Sequence, residues 1–144
     1  MSRVALRLIL DVVLTVAVAL LLLSLWQWFL SGSLADAAVE GVRVLFNFMD
    51  VGLALWLILL IVAAVRGRTR GGGPGAGLTW VFALVGAIVN LIVVTVVGFI
   101  QGGGAPLLVL FAIEAGIAVL VGAAIVVTIV HRLVKPTTPA SPAA

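Results

Sequence analysis

Five polar side chains recur at helical spacing between residues 36 and 50, in a chain otherwise dominated by Val, Leu, Ile and Ala. They are Asp36, Glu40, Arg43, Asn47 and Asp50, and successive members are four, three, four and three residues apart. Residues three or four apart share one face of a helix, so the spacing predicts a single polar stripe. Inside a membrane, carboxylate and amide groups bind cations, carry protons or hydrogen-bond to a neighbouring helix, and the stripe suggests these chemistries.

Two further apolar segments each carry an isolated polar side chain, Asn90 in one and Glu114 in the other. At about 1.5 Å per helical residue, Asp50, Asn90 and Glu114 each lie about 12–15 Å from the end of their apolar run. A charge at the centre of a bilayer costs about 2.5–3.5 kcal/mol, so such groups normally face the inside of a bundle. The sequence therefore predicts one interior polar site. The members of this interior site are Asp50, Glu114, Asn90 and Asn47. A second group, the outer polar stripe, is formed by Asp36, Glu40 and Arg43.

Small residues accompany these polar groups at helical spacing. Small side chains mark close helix–helix contact in membranes. The predicted inward faces therefore carry both the polar site and the packing residues. The small residues concerned are Ala54 after Asp50, Ala83 and Gly86 before Asn90, and Ala118 and Gly122 after Glu114.

A weaker polar group lies near the start of the chain, where Arg3, Arg7, Asp11 and Thr15 follow at steps of four. Arg7 and Asp11 are predicted to form an ion pair on one helix, with the arginine reaching towards the membrane surface. A proton or ion path through Asp11 is the alternative. His131 is expected to help terminate its helix, where cations are favoured, and not to bind a metal.

Composition places the chain among integral membrane proteins. Of its 144 residues, 65% are hydrophobic and only 9% are charged. Soluble domains carry about 25% charged residues, so this chain has too few charges to cover a water-facing surface. There is no cysteine, which excludes a disulfide framework, a thiolate metal site and a cysteine nucleophile.

Four segments are apolar for about the 20 residues that a spanning helix needs. We expect spans at 6–30, 42–65, 78–100 and 106–130, with the second helix beginning near Ser33 through a Ser33–Asp36 capping box. Such a helix is longer than the hydrocarbon core, so its first turns stand outside the membrane or bend at Gly41. The fold class is therefore all-α, a polytopic membrane protein with a four-helix transmembrane domain over residues 1–135. Residues 136–144 are rich in Pro and Thr and are predicted to be a disordered cytoplasmic tail.

Basic residues predict the orientation. If four spans alternate, Arg3 and Arg7, the arginines of 66–70, and Arg132 with Lys135 all lie on one side. The positive-inside rule then places both termini in the cytoplasm. Frequent Ala, Val and Gly, with Arg preferred to Lys, suggests a bacterial origin and hence the bacterial plasma membrane.

Two functions of different classes follow from these patterns. We find no nucleophile–base pair, metal cluster or cofactor fingerprint, so catalysis, a metal, a cofactor and nucleic-acid binding are not expected. The first hypothesis is a non-catalytic accessory or structural subunit of a larger membrane complex, whose partners are the lipid bilayer and other subunits or further copies of itself. The alternative is a small ion- or proton-coupled transporter or channel, working as an oligomer through Asp50 and Glu114, with its ion or small-molecule substrate undefined.

Overall fold

Helices account for almost all of the described chain. The computed structural model describes residues 3–67, 75–101 and 106–134, and these contain five helices and no strand. The helices are α1 (Arg3–Ser31), α2 (Leu34–Phe48), α3 (Asp50–Arg66), α4 (Ala76–Ile100) and α5 (Pro106–Leu133). The all-α prediction is confirmed. The predicted tail at 136–144, and Arg68, Arg70 and Lys135 of the orientation argument, lie outside the described residues.

Three helices are long and apolar enough to cross a membrane: α1, α4 and α5. A fourth candidate span exists if α2 and α3, which are bent by 63° at a short break, are taken as one. The chain is thus a membrane protein with three or four candidate spans. The single second helix predicted from about Ser33 to 65 is corrected, because it breaks at Met49 and does not bend at Gly41.

A tight turn joins α1 to α2. Gly32 has a φ of 77°, a left-handed conformation that glycine adopts without a Cβ clash. Ser33 is the extended residue before α2, but its side chain makes no capping hydrogen bond, so the predicted capping box is not formed. After the turn, α2 runs back along α1. A Cβ on Gly41 would lie 2.7 Å from Ser24 Oγ, so the two helices pack in close contact.

The remaining helices pack antiparallel to their neighbours. Residues near the start of α1 meet the end of α5, and Gly122 in the middle of α5 packs on the Thr15 backbone. α4 packs against both α3 and α5. α5 is the central helix, with ten buried residues against five in α4. We call the end of the bundle with the α1–α2 turn the hairpin end, and the end with the first turn of α1 the terminal end.

Candidate functional site

Asn90 occupies the break between α2 and α3. In a continuous helix the N–H of Gly52 would bond to the carbonyl of Phe48. Here Gly52 N–H donates to Asn90 Oδ1 at 3.2 Å, and Asn90 Nδ2 donates to the Phe48 carbonyl at 2.5 Å. The flanking backbone bonds, Met49 to Leu45 and Leu53 to Met49, are intact. A side-chain amide from α4 therefore takes the place of the Gly52–Phe48 bond, and the neighbouring Val51 N–H bonds to Asp50 Oδ1 and not to the helix ladder. Insertion of a side chain into the ladder is a recognised cause of sharp helix bends.

Two glycines bring α3 and α4 close enough for this insertion. A Cβ on Gly86 would lie 2.6 Å from the Gly52 carbonyl oxygen, and a Cβ on Gly52 would lie 2.9 Å from the Gly86 oxygen. No side chain fits between them, so the backbones meet directly. Farther along the pair, buried Trp56 donates its Nε1–H to the Thr79 carbonyl at 3.0 Å. This contact extends the α3–α4 interface beyond the glycine crossing.

The structure does not bring the predicted interior site together. Asn90 is fully buried, but its partners are the backbone groups of the helix break. Asp50 and Asn47 are both exposed on the surface of the chain, and Asp50 Oδ1 accepts a hydrogen bond from the Val51 N–H at 2.9 Å. Asp50 thus stabilises the first turn of α3, because a negative charge is favoured at the N-terminus of a helix. The expectation that Asp50 faces inward beside Glu114 is wrong.

The outer polar stripe also lies on the surface. Asp36 and Arg43 are exposed and Glu40 is half-buried, and Arg43 Nη1 contacts Glu40 Oε1 at 3.5 Å. The face of α2 that packs on the bundle is instead small and apolar. Its buried residues are Ala37, Gly41, Val44 and Leu45. Ala37 and Gly41 have the four-residue spacing of a small-residue contact, a signal that the sequence argument missed.

Glu114 has its own partner on α1. Its Oε1 accepts a hydrogen bond from Trp26 Nε1 at 3.2 Å, while Oε2 is buried without a hydrogen-bond partner among the described residues. The faces predicted for α4 and α5 are confirmed, because Ala83, Gly86, Ala118 and Gly122 are buried. Ala54 is exposed, in keeping with the outward position of Asp50.

The group at the terminal end is larger than the predicted Arg7–Asp11 pair. His131 lies between the two: Arg7 Nη2 donates to His131 Nδ1, and His131 Nε2 lies 3.1 Å from Asp11 Oδ2. Arg7 Nη2 also lies 3.2 Å from His131 Nε2, so the guanidinium faces both ring nitrogens. Arg7, Asp11 and Thr15 are all buried, so Arg7 does not reach to the surface as expected. In the described part of the chain, Asp11 Oδ1 and Thr15 Oγ1 have no hydrogen-bond partner.

His131 is therefore a link between α1 and α5, not only a residue at a helix end. Sequence reasoning missed it because Asp11 and His131 are 120 positions apart. A charged residue buried in a membrane protein usually pairs with a group on another helix. That rule predicts a partner for Asp11 on another helix but does not identify His131.

Comparisons with known proteins add no assignment. No protein-family model, curated protein or solved structure matches this chain. Among the residues that the structure describes, no three His, Asp or Glu side chains are grouped so that they could hold a metal ion.

Proposed function

We propose that this protein is a non-catalytic accessory or structural subunit of a larger membrane complex, and that α2 carries the docking surface. The observation that carries the proposal is the outward position of the polar stripe, of which Asp36, Arg43, Asn47 and Asp50 are all exposed. A fold that buried its polar groups for its own stability would turn this face inward.

The depth of the α2–α3 break strengthens this argument. Met49 packs in one core cluster with Ala19 and Ala115, residues well inside the ends of α1 and α5. Asn47 and Asp50 flank Met49 and are exposed at that level. A charged side chain facing lipid near the bilayer centre costs about 2.5–3.5 kcal/mol. A helix that covers the stripe and hydrogen-bonds to it removes this cost, which favours association.

The stripe also defines the chemistry of the partner. It contains three carboxylates, one guanidinium and one amide, and so carries a net charge of −2 if all three acids are ionised. A transmembrane helix with hydrogen-bond donors or a basic side chain at the level of the break fits this surface. The proposed setting is a bacterial plasma membrane, with α2 and α3 together forming one of four spans and both termini in the cytoplasm, as the basic residues predict.

Site-specific cross-linking in native membranes tests the docking surface. A photoreactive amino acid replaces Phe46, which is exposed beside Asn47. We expect an adduct with one membrane protein of defined mass, and at least a tenfold lower yield when Asn47→Leu and Asp50→Leu are combined with the probe. Val42→Leu, at an exposed apolar position of the same helix, is the matched control and leaves the yield unchanged.

The outcomes separate the possible partners. An adduct of twice the mass of the chain identifies a second copy as the partner, and a heavier one identifies a different subunit. An adduct whose yield is the same in the double variant and in Val42→Leu contradicts the polar docking surface. Absence of any protein adduct contradicts it as well.

A second candidate function is a small proton- or ion-coupled transporter or channel working as an oligomer. The Asp50–Glu114 pair no longer supports it. The observation in its favour is the buried group of Arg7, Asp11 and His131. Within it, Asp11 Oδ1 has no hydrogen-bond partner among the described residues and is able to accept a proton or a water molecule. Proton flux into proteoliposomes tests it. Asp11→Asn should abolish the flux and Asp36→Asn, at an exposed position, should not; equal flux in both variants contradicts this function.

A further inference from the structure

A cavity of about 340 Å³ lies between α1 and α5 on the hairpin side of the bundle. Its volume falls within the range of about 300–1,000 Å³ that is typical of small-molecule sites. Two of its lining residues are polar or amphipathic, Glu114 and Trp26. The other walls are aliphatic and are formed by Leu22, Leu23, Ile117, Ala118 and Val121.

The charge of Glu114 is poorly compensated in this apolar surrounding. Its single described hydrogen bond comes from the Trp26 indole, and its second oxygen is buried without a partner in the described part of the chain. Among the described residues, close contacts between basic and acidic side chains join Arg43 to Glu40 and His131 to Asp11, and neither involves Glu114. A carboxylate in an apolar site attracts a cation strongly, because the low dielectric there weakens screening.

Glu114 gives this cavity a negative charge on an otherwise apolar lining. Its Oε1 accepts the Trp26 hydrogen bond and its Oε2 is buried. Charge complementarity therefore favours a cationic ligand. The aliphatic walls beyond Glu114 suit an apolar substituent.

We propose that this cavity is a binding site for a hydrophobic organic cation. The cationic centre lies beside Glu114 and Trp26, and the apolar part lies along Ile117, Ala118 and Val121. This site is separate from the α2 surface and does not depend on the accessory-subunit proposal.

Calorimetric titration in dodecyl maltoside tests the site, because the headgroups of this detergent are uncharged. The probe is hexyltrimethylammonium, with hexanesulfonate as a control of the same chain length and opposite charge. We expect saturable binding of the cation at one site per chain, beyond its partition into empty micelles. Binding of the sulfonate should be at least tenfold weaker. Equal binding of the two would show a groove for any alkyl chain and would overturn the proposal, as would the absence of saturable cation binding.

Two pairs of variants locate the ligand. Glu114→Gln keeps an oxygen that accepts the Trp26 hydrogen bond but removes the charge, and it should weaken cation binding at least tenfold. Arg132→Gln removes an exposed charge elsewhere and should leave binding unchanged.

Val121→Phe narrows the cavity and should weaken binding, whereas Ile125→Phe changes an exposed residue outside the lining and should not. These two positions keep the test valid if Glu114→Gln melts at a lower temperature than the parent protein. Unchanged affinity in both Glu114→Gln and Val121→Phe refutes the site.

Discussion

Replacing Asn90 by alanine should destabilise the α2–α3 break and lower the free energy of unfolding. The side chain makes two hydrogen bonds to backbone groups, at 3.2 Å to Gly52 N and at 2.5 Å to the Phe48 carbonyl. Hydrogen bonds between membrane helices average about 0.6 kcal/mol and reach about 1.7 kcal/mol. Loss of both therefore predicts a destabilisation of about 1–3 kcal/mol.

A matched variant on the same helix separates this effect from a general loss of polarity. Thr95 Oγ1 bonds to the Leu91 carbonyl of its own helix turn, so Thr95→Val removes a hydrogen bond that joins no other helix. We expect this change to cost less than about 0.5 kcal/mol. Asn90→Asp puts a buried carboxyl group against the Phe48 carbonyl oxygen, so it should destabilise the protein at least as much as Asn90→Ala.

Reversible unfolding in mixed micelles, followed by tryptophan fluorescence, measures these differences. A second measurement reports the bend itself, as the distance between spin labels at Val39 on α2 and Val62 on α3, both exposed. In Asn90→Ala, the Phe48 carbonyl and the Gly52 N–H are free to bond to each other, so this distance should increase. If Asn90→Ala and Thr95→Val have the same stability and the distance is unchanged, the inserted amide is not what holds the break.

Three further changes test other parts of the structure. His131→Ala should lower the free energy of unfolding by about 1–3 kcal/mol, because it leaves buried polar groups of Arg7 and Asp11 without their link, whereas exposed Arg132→Ala should have little effect in the same assay. Gly86→Ala should sharply reduce the yield of folded protein, since a Cβ there meets the Gly52 oxygen at 2.6 Å, while Gly77→Ala enters open space and should not. Alkaline phosphatase, which is active only outside the cytoplasm, should be active when fused after Gly32 and inactive when fused after Ala144; the reverse pattern would contradict the predicted orientation.

The helices and two packing faces could be predicted from the sequence because their causes are local. Long apolar runs define α1, α4 and α5, and small residues three or four apart identify the buried faces around Gly86 and Gly122. The break at Met49 could not be predicted in this way. No proline stands near it, and its cause is the side chain of Asn90, 38 residues beyond Gly52.

Burial was predicted correctly for Asn90 but not for Asp50, which is exposed. Depth along a helix suggested that Asp50, Asn90 and Glu114 meet, but equal depth does not fix the direction in which each helix face points. The packing face of α2 is set by Ala37 and Gly41, which turn the charged stripe outwards. The alignment of α1 with α5 likewise has no local sequence pattern. It brings Trp26 to Glu114 and His131 to Asp11.

The inserted amide of Asn90 has a consequence for how the protein is made. If residues 34–66 enter the membrane before residue 90 has left the ribosome, Asn90 is not yet available to the Phe48 carbonyl and the Gly52 N–H. Lipid offers these two groups no hydrogen-bond partner, which favours a bond between them in a straighter helix. We therefore expect the 63° bend to form only after α4 has packed against α3. A chain that stops before α4 should then present a different surface to the insertion machinery than the finished protein does.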